Sequence, residues 1–344
     1  MTETKRPRVV ALGGGHGLQA TLAALREITP DVTAVVTVAD DGGSSGRLRR
    51  ELGVLPPGDL RKALVALAGT GEDVKLWNSV FQHRFGGTGA LAGHAIGNLV
   101  LSGLIEVMGD PVAALDEAAR MLGITGRVLP MSTEPLDIEA DVTGLDEDPT
   151  VIRRIRGQVA VATTPGQVRR IRLCGASGDV PTACPEALEA VRSADAVILG
   201  PGSWFTSVLP HLLVPELHQA LVATDAARIV VLNLVPQPGE TSGFSPEQHL
   251  DVLCEHAPEL RVDAVIADVD AVPTPDRLRR AAAALGARTH LASVSTPGAV
   301  EKHDPRALAN SLRHALADTT GVGGGEVVGY AGRGPGGGEE DTWR

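Results

Sequence analysis

"RVVALGGGHGLQATLAALREITPDVTAVVTV", residues 8–38, opens on Arg8–Leu12, which reads as a fully buried strand. A glycine loop follows, and then "LQATLAALREI" sets apolar residues at helical spacing until Pro30 closes the run. Val32–Val38 is a second uninterrupted apolar run, the pattern of a strand covered on both faces. Strand, glycine turn, helix and strand make a βαβ unit, whose two strands are parallel. The alternation returns later in the chain. "ADAVILG", "RIVVLNLV" and "VDAVIAD" read as strands, and "SPEQHLDVLCEHA", "PDRLRRAAAALG" and "PRALANSLRHALAD" as helices, with Ser245 as an N-cap before Pro246. "VLPHLLVPELHQAL" is helical in pattern but interrupted by Pro210 and Pro215.

Between the two βα regions lie "GDLRKALVALAG", "GHAIGNLVLSGLIEVMG" and "DPVAALDEAARML", all helical in pattern. Short extended pieces follow around Val128, Ile138–Val142, Val159–Thr163 and Val168–Leu173. The expected architecture is α/β: a Rossmann-like, mostly parallel sheet with helices on both faces and a small mixed-strand insert at about residues 127–175. Residues 1–320 are expected to form one domain, and the glycine-rich tail 321–344 to be disordered.

Composition narrows the function classes. A hydrophobic content of 43% is that of a folded chain, and a net charge of −11 argues against a general nucleic-acid binder, which needs a basic footprint, while leaving room for a local basic site. Cys174, Cys184 and Cys254 have neither disulfide-framework nor metal-site spacing. No apolar run is long enough to span a membrane, and the N-terminus enters a strand with no signal-peptide core. A cytoplasmic location is expected.

Five stretches carry candidate chemistry. In "LGGGHGLQAT", Gly13, Gly15 and Gly17 allow backbone amides to face a phosphate at a helix start, although Leu18 occupies the last glycine position of the dinucleotide fingerprint. In "VADDGGSSG", Asp40 and Asp41 end the second strand, on the same sheet rim as the first loop. A carboxylate there suits a ribose hydroxyl, a magnesium ion or a base; the bland alternative is that the aspartates cap the next helix. In "LPPGDLRKAL", Asp59 reads most simply as an N-cap. His94 and Asn98 are four apart on an otherwise apolar helix, which suits a site wall or a satisfied core pair. "LGPGSWFTS" repeats the phosphate-loop logic, with hydroxyls at Ser203, Thr206 and Ser207 and with Trp204 and Phe205 placed to stack on a base or pack beneath the site. Trp77, Phe81 and Phe85, spaced by four, read as one helical packing stripe in the core or a dimer contact.

Taken together these stretches resemble the gluconeogenesis factor family, the YvcK-like proteins, related to the CofD enzyme 2-phospho-L-lactate transferase. The matching segments "GGGHGL", "VTVADDGGSSGRLR", "PPGDLRKALVALA", "GHAIGNLVL", "ADAVILGPGSWFTSVLPHLLV", "LNLVPQPGETSGFSPEQHL" and "HDPRALA" run in order from Arg8 to about Leu316. The resemblance implies a Rossmann-like fold that binds a nucleotide, a UDP-sugar or an NAD-like ligand. It links the chain to gluconeogenic carbon use, cell shape and peptidoglycan synthesis. By similarity, Gly13, Gly14, Gly15, Gly17, Asp40, Asp41, Gly43, Ser44, Ser45, Asp59, Asn98, Gly200, Pro201, Gly202, Ser203 and Asn233 would line the site. Asp59 looks like the aspartate that contacts the acceptor in the transferase branch. His16, Trp204–Phe205 and His211 depart from the family pattern, where Thr, Leu-Tyr and Asn are common, and "LVPQPGET" stands for "VMTQPGET".

The leading expectation is a nucleotide- or UDP-sugar-binding regulator, open to homo-oligomer formation and to cell-wall synthesis proteins as partners. The rival is a transferase moving a phospholactate-type group from a nucleotide diphosphate to a deazaflavin hydroxyl, with Mg²⁺ at Asp40 and Asp41 and with Asp40, Asp41 or Asp59 catalytic. An NAD-dependent oxidoreductase is the third reading, and no His–Arg constellation beside the glycine loop supports it.

Overall fold

The computed structural model describes residues 6–69, 71–175 and 178–320; the tail expected to be disordered lies outside them. Strand β1 (Val9–Gly13), helix α1 (Gly15–Arg26) and strand β2 (Val32–Val36) form the βαβ unit, and all five residues of β1 are buried. Four helices follow: α2 (Gly43–Leu52), α3 (Pro57–Leu67), α4 (Glu72–Gln82) and α5 (Ile96–Met108). Then come α6 (Pro111–Met121), β3 (Arg127–Pro130), β4 (Leu136–Thr143), β5 (Arg153–Arg156), α7 (Gln158–Ala162) and β6 (Gln167–Gly175). The second half runs α8 (Pro185–Ser193), β7 (Ala196–Leu199), α9 (Pro215–Ala223), β8 (Ala227–Val231), α10 (Pro246–His256), β9 (Ala264–Asp268), α11 (Pro275–Ala284) and β10 (Arg288–Ala292). A hairpin of β11 (Ser295–Thr296) and β12 (Ala299–His303) leads into α12 (Pro305–Thr320).

The central sheet has seven strands in the order β10-β9-β8-β7-β1-β2-β3, and every neighbouring pair is parallel. Chain order therefore reverses between β1 and β7. Right-handed crossovers then place the helices of the two halves on opposite faces, and the crevice beyond the carboxyl ends of β1 and β7 is the topological switch point. The two glycine loops of the sequence sit at the ends of these two strands.

Several elements differ from the sequence reading. Val128 belongs to β3, the edge strand of the parallel sheet, and not to the insert, whose antiparallel sheet is β5-β4-β6. Residues 159–163, expected as a strand, mostly form α7. Gly157 turns the chain with φ 108°, and the Asp41 carboxylate accepts the Val159 amide at 2.9 Å, holding the first turn. The stripe of Trp77, Phe81 and Phe85 is broken, because α4 ends at Gln82 and Phe85 donates its amide to the His94 carbonyl instead. Phe81 is buried, while Trp77 is half exposed. The run after β7 is a π-helical turn over Trp204–Val208 and a 3-10 turn over Leu209–Leu213, and α9 begins only at Pro215.

On the outer face of the insert the acidic alternate residues of β4 lie between arginines of β5 and β6. Asp137 meets Arg156 at 2.6 Å and Asp141 meets Arg172 at 2.6 Å. Arg49 of α2 reaches Asp137 at 2.5 Å and the Leu136 carbonyl at 2.9 Å, so the insert braces the helix that starts at Gly43. Among the described residues no helix is long and apolar enough to cross a membrane.

Candidate functional site

The first loop is shaped by what a side chain would strike. A Cβ on Gly17 would lie 2.2 Å from the Pro201 carbonyl oxygen, so the loops after β1 and β7 rest directly on each other and only glycine permits it. Gly15 has φ 59° with open space where a Cβ would point. The second loop is clamped by Asn233 at the end of β8: Gly202 donates its amide to Asn233 Oδ1 at 2.8 Å, and Asn233 Nδ2 donates back to the Gly202 carbonyl at 2.9 Å. Glu240, which sequence reasoning did not single out, braces the next turn by accepting the Phe205 amide at 3.0 Å and the Thr206 hydroxyl at 2.6 Å. Its burial pushes the carboxyl above its ordinary value. Trp204 and Phe205 are fully buried beneath this loop, edge-on to His249 and Phe244, and so pack under the site and do not stack within it.

Behind the first loop lies a polar wall. Asp40 turns inward, where its Oδ1 accepts the Gly42 amide at 2.9 Å. Burial and then the charge of Asp59 raise its carboxyl above the usual range. Asp59 does not cap α3: the capping position is Pro56, and Asp59 Oδ1 takes Lys62 Nζ at 2.9 Å. A Cβ on Gly14 would come within 2.6 Å of Asp59 Oδ2 and of Thr37 Cγ2, which puts both side chains against the loop. Thr37 Oγ1 is buried with no hydrogen-bond partner. Asp41 goes elsewhere. Its carboxylate serves α7, and neither aspartate of the pair caps α2, whose capping residue is Gly42. The two adjacent aspartates thus part, and the carboxylate whose charge bears on Asp40 is that of Asp59.

The serines of "GGSSG" are also engaged. Ser45 Oγ accepts the Gly58 amide at 3.0 Å. Ser44 belongs to a directional chain: Arg61 Nε donates to Asn98 Oδ1 at 2.8 Å, Asn98 Nδ2 donates to Ser44 Oγ at 2.9 Å, and the Ser44 hydroxyl is left to donate to His94 Nδ1 at 2.9 Å. Burial lowers the His94 pKa, which keeps that nitrogen free to accept. Gly43, with φ 46°, has open space on its Cβ side.

The crevice itself, about 370 Å³, is lined by His16, Gly17, Pro201, Gly202, Asn233 and, from the β11–β12 hairpin, Glu301, Lys302 and His303. An adjoining cavity of about 220 Å³ continues past Asn233–Val235 to Phe244 and His249. A larger cavity, about 890 Å³, lies at the amino ends of the strands among Asp195, Arg228 and Asp263, far from either glycine loop. Burial lowers the His16 pKa, and the positive charges of Lys62, Arg61 and Lys302 lower it further. His303 is held down to about 4 by burial. The N-terminal turn of α1 supplies His16 and Gly17 to the crevice, adding its positive dipole end to the charge of Lys302. The arrangement gathers two glycine loops, positive charge and two carboxylates around the switch point.

Comparison with known proteins agrees with this geometry. The sequence profile described as 2-phospho-L-lactate transferase CofD matches residues 9–303. Two mycobacterial relatives are provisionally named gluconeogenesis factors. That of Mycobacterium tuberculosis is 59% identical over 317 residues, covering 91% of this chain and 92% of its own, and that of Mycobacterium leprae is 60% identical over 309, covering 89% and 85%. The gluconeogenesis factor of Halalkalibacterium halodurans is 38% identical over 268 residues, covering 76% of this chain and 77% of its own. A crystal structure of a UPF0052-family protein from Bacillus halodurans superposes with a TM-score of 0.80 at 32% identity, over 90% of this chain and all of that one. With the doubly wound sheet, the paired glycine loops and this coverage in hand, the chain belongs to the gluconeogenesis factor family, whose fold is that of the CofD group.

Proposed function

We propose that the protein is a cytoplasmic regulator that binds a nucleotide, with a UDP-sugar as the leading candidate, and couples carbon supply to cell shape and peptidoglycan synthesis. The observation that carries the reading is the switch-point crevice, where Gly17 lies on Pro201 and Lys302 brings a positive charge to the lining. Diphosphate oxygens suit the loop amides, and the cavity beyond Asn233 has apolar walls for a base or sugar. NAD-like ligands fit the same features. Proteins of cell-wall synthesis are the proposed partners. Calorimetry with UDP-N-acetylglucosamine, UDP-glucose, NAD and GDP tests the reading, and folded protein that binds none of them ends it.

One observation favours a second reading. Asp40 and Asp59 face each other's charge beside the orphaned Thr37 hydroxyl, an oxygen set that would hold Mg²⁺ against the ligand's phosphates. Mg²⁺ there would neutralise charge on a diphosphate leaving group. In a transferase the chain's own part is to orient the donor on the glycine loops and to place an acceptor hydroxyl near Asp59. Incubation with Mg²⁺, nucleotide-activated phospholactate and the deazaflavin acceptor, read by mass spectrometry, decides it. Product that disappears in Asp40→Asn and Asp59→Asn makes the protein an enzyme.

A further inference from the structure

Arg61 heads the Arg61–Asn98–Ser44–His94 chain of hydrogen bonds. Its side chain is buried, with the residue only 4% exposed. A guanidinium in such a place is unfavourable unless its charge and its N–H groups are matched. Nε is matched by Asn98 at 2.8 Å. The two terminal nitrogens make no hydrogen bond or ion pair with a described residue and are not among the buried atoms left without a partner, so they open to solvent. The nearby carboxylate of Asp59 is turned to Lys62 at 2.9 Å.

The side chain is also held in place. A Cβ on Gly97 would fall 2.8 Å from Arg61 Cδ, so α5 lies close along the stem. Asn98 fixes the plane of the guanidinium, and Ser44 and His94 fix Asn98. The two free terminal nitrogens thus form a fork of constrained orientation, the geometry that takes a planar carboxylate or a phosphoryl group through two parallel hydrogen bonds. Arg61 lies in the first turns of α3, whose Asp59 stands against Gly14 of the first loop, and its charge is among those that lower the His16 pKa.

We propose that Arg61 is the recognition group of a second, oxyanion subsite, which takes a carboxylate or phosphoryl group that is not one of the nucleotide's own phosphates. The oxyanion has two sources: the sugar of the bound nucleotide, or a separate small acid. The first source rests on the nucleotide reading above; the second does not.

The test uses the full chain and calorimetry at low ionic strength. One arm compares UDP-glucose with UDP-glucuronic acid, which carries a carboxylate in place of the sugar's hydroxymethyl group. The other titrates inorganic phosphate into protein saturated with UDP and into protein without it. The expected result is a preference of about tenfold or more for UDP-glucuronic acid, or phosphate binding that persists with UDP present. Either effect should vanish in Arg61→Gln and should not return in Arg61→Lys, which keeps the charge and loses the fork. If Arg61→Gln does not fold, Arg61→Lys carries the comparison. Wild-type protein that shows neither effect overturns the proposal, and so does an effect that the variants leave intact. Should no nucleotide bind while phosphate binds through Arg61, the nucleotide reading fails and this subsite stands.

Discussion

Asp40 sends its carboxylate inward to the Gly42 amide, while Asp41, one residue on, sends its own outward to the start of α7. The two substitutions should therefore behave in opposite ways. The folded-state pKa of Asp40 is raised, chiefly by burial, so its ionised form opposes folding at neutral pH, and that cost is absent below about pH 4, where the carboxyl is protonated in both states. Asp40→Asn keeps an oxygen for Gly42 and should melt higher than wild type at neutral pH, with the gap closing in acid. A variant that melts lower at neutral pH would show that Asp40 has a compensating partner. Asp41→Ala removes a helix-start acceptor and should cost about 1 kcal/mol in a denaturant titration while nucleotide affinity holds. Lost affinity with unchanged stability would return Asp41 to the site. At Gly15, where φ is 59°, a β-branched side chain meets backbone strain in the loop that precedes His16 and Gly17 of the crevice. Gly15→Val should weaken nucleotide binding by a few kcal/mol, read by calorimetry.

Helix α4 separates packing from position in the chain. Phe81 is 1% exposed and packs against α5 at Gly97, whereas Trp77, one turn earlier, is 50% exposed. Phe81→Ala should cost roughly 3–5 kcal/mol of stability, and Trp77→Ala less than about 0.5. Equal losses in chemical denaturation would mean that Trp77 is covered in solution. The helical spacing of the aromatics was legible in the sequence. What stops the helix was not, since His83 becomes extended because Phe85 and Gly93 pair across the turn that brings Ala95 beside Arg84. The same holds at α7, where a β-branched run was overridden by a carboxylate that arrives from residue 41.

Beside the β1–β7 ladder, His211 ties the two halves of the sheet together: it lies in the turn after β7 with Nε2 3.0 Å from the Val35 carbonyl of β2. Complete burial lowers its pKa to about 4. A histidine depressed in the folded state contributes stability above its unfolded pKa, near 6.5, and that contribution is lost as pH falls toward 4. The expected loss is on the order of 3 kcal/mol across this window. Wild-type protein should melt progressively lower from pH 6.5 to 4, and His211→Asn should flatten the dependence. An unchanged slope in the variant would assign the acid sensitivity to other groups, His303 first among them.

The buried strands, the helices with their proline starts and the two glycine loops were readable from residues 8–38 and 196–234 because periodicity and turn chemistry act over a few neighbours. That reading settled the α/β class, and the ordered motifs settled the family. The reversal of strand order between β1 and β7 was decided only in three dimensions, by the handedness and packing of the crossovers. So were the residues that complete the crevice. Lys302 and His303 arrive on a hairpin held by Asp268, whose Oδ2 accepts the amides of Val294 and Ser295 at 2.8 Å each. Spacing along the chain carries no signal for that. Nor does it tell Asp40 from Asp41, because adjacent carboxylates on a turn take their roles from whichever amides and charges the tertiary fold brings to them.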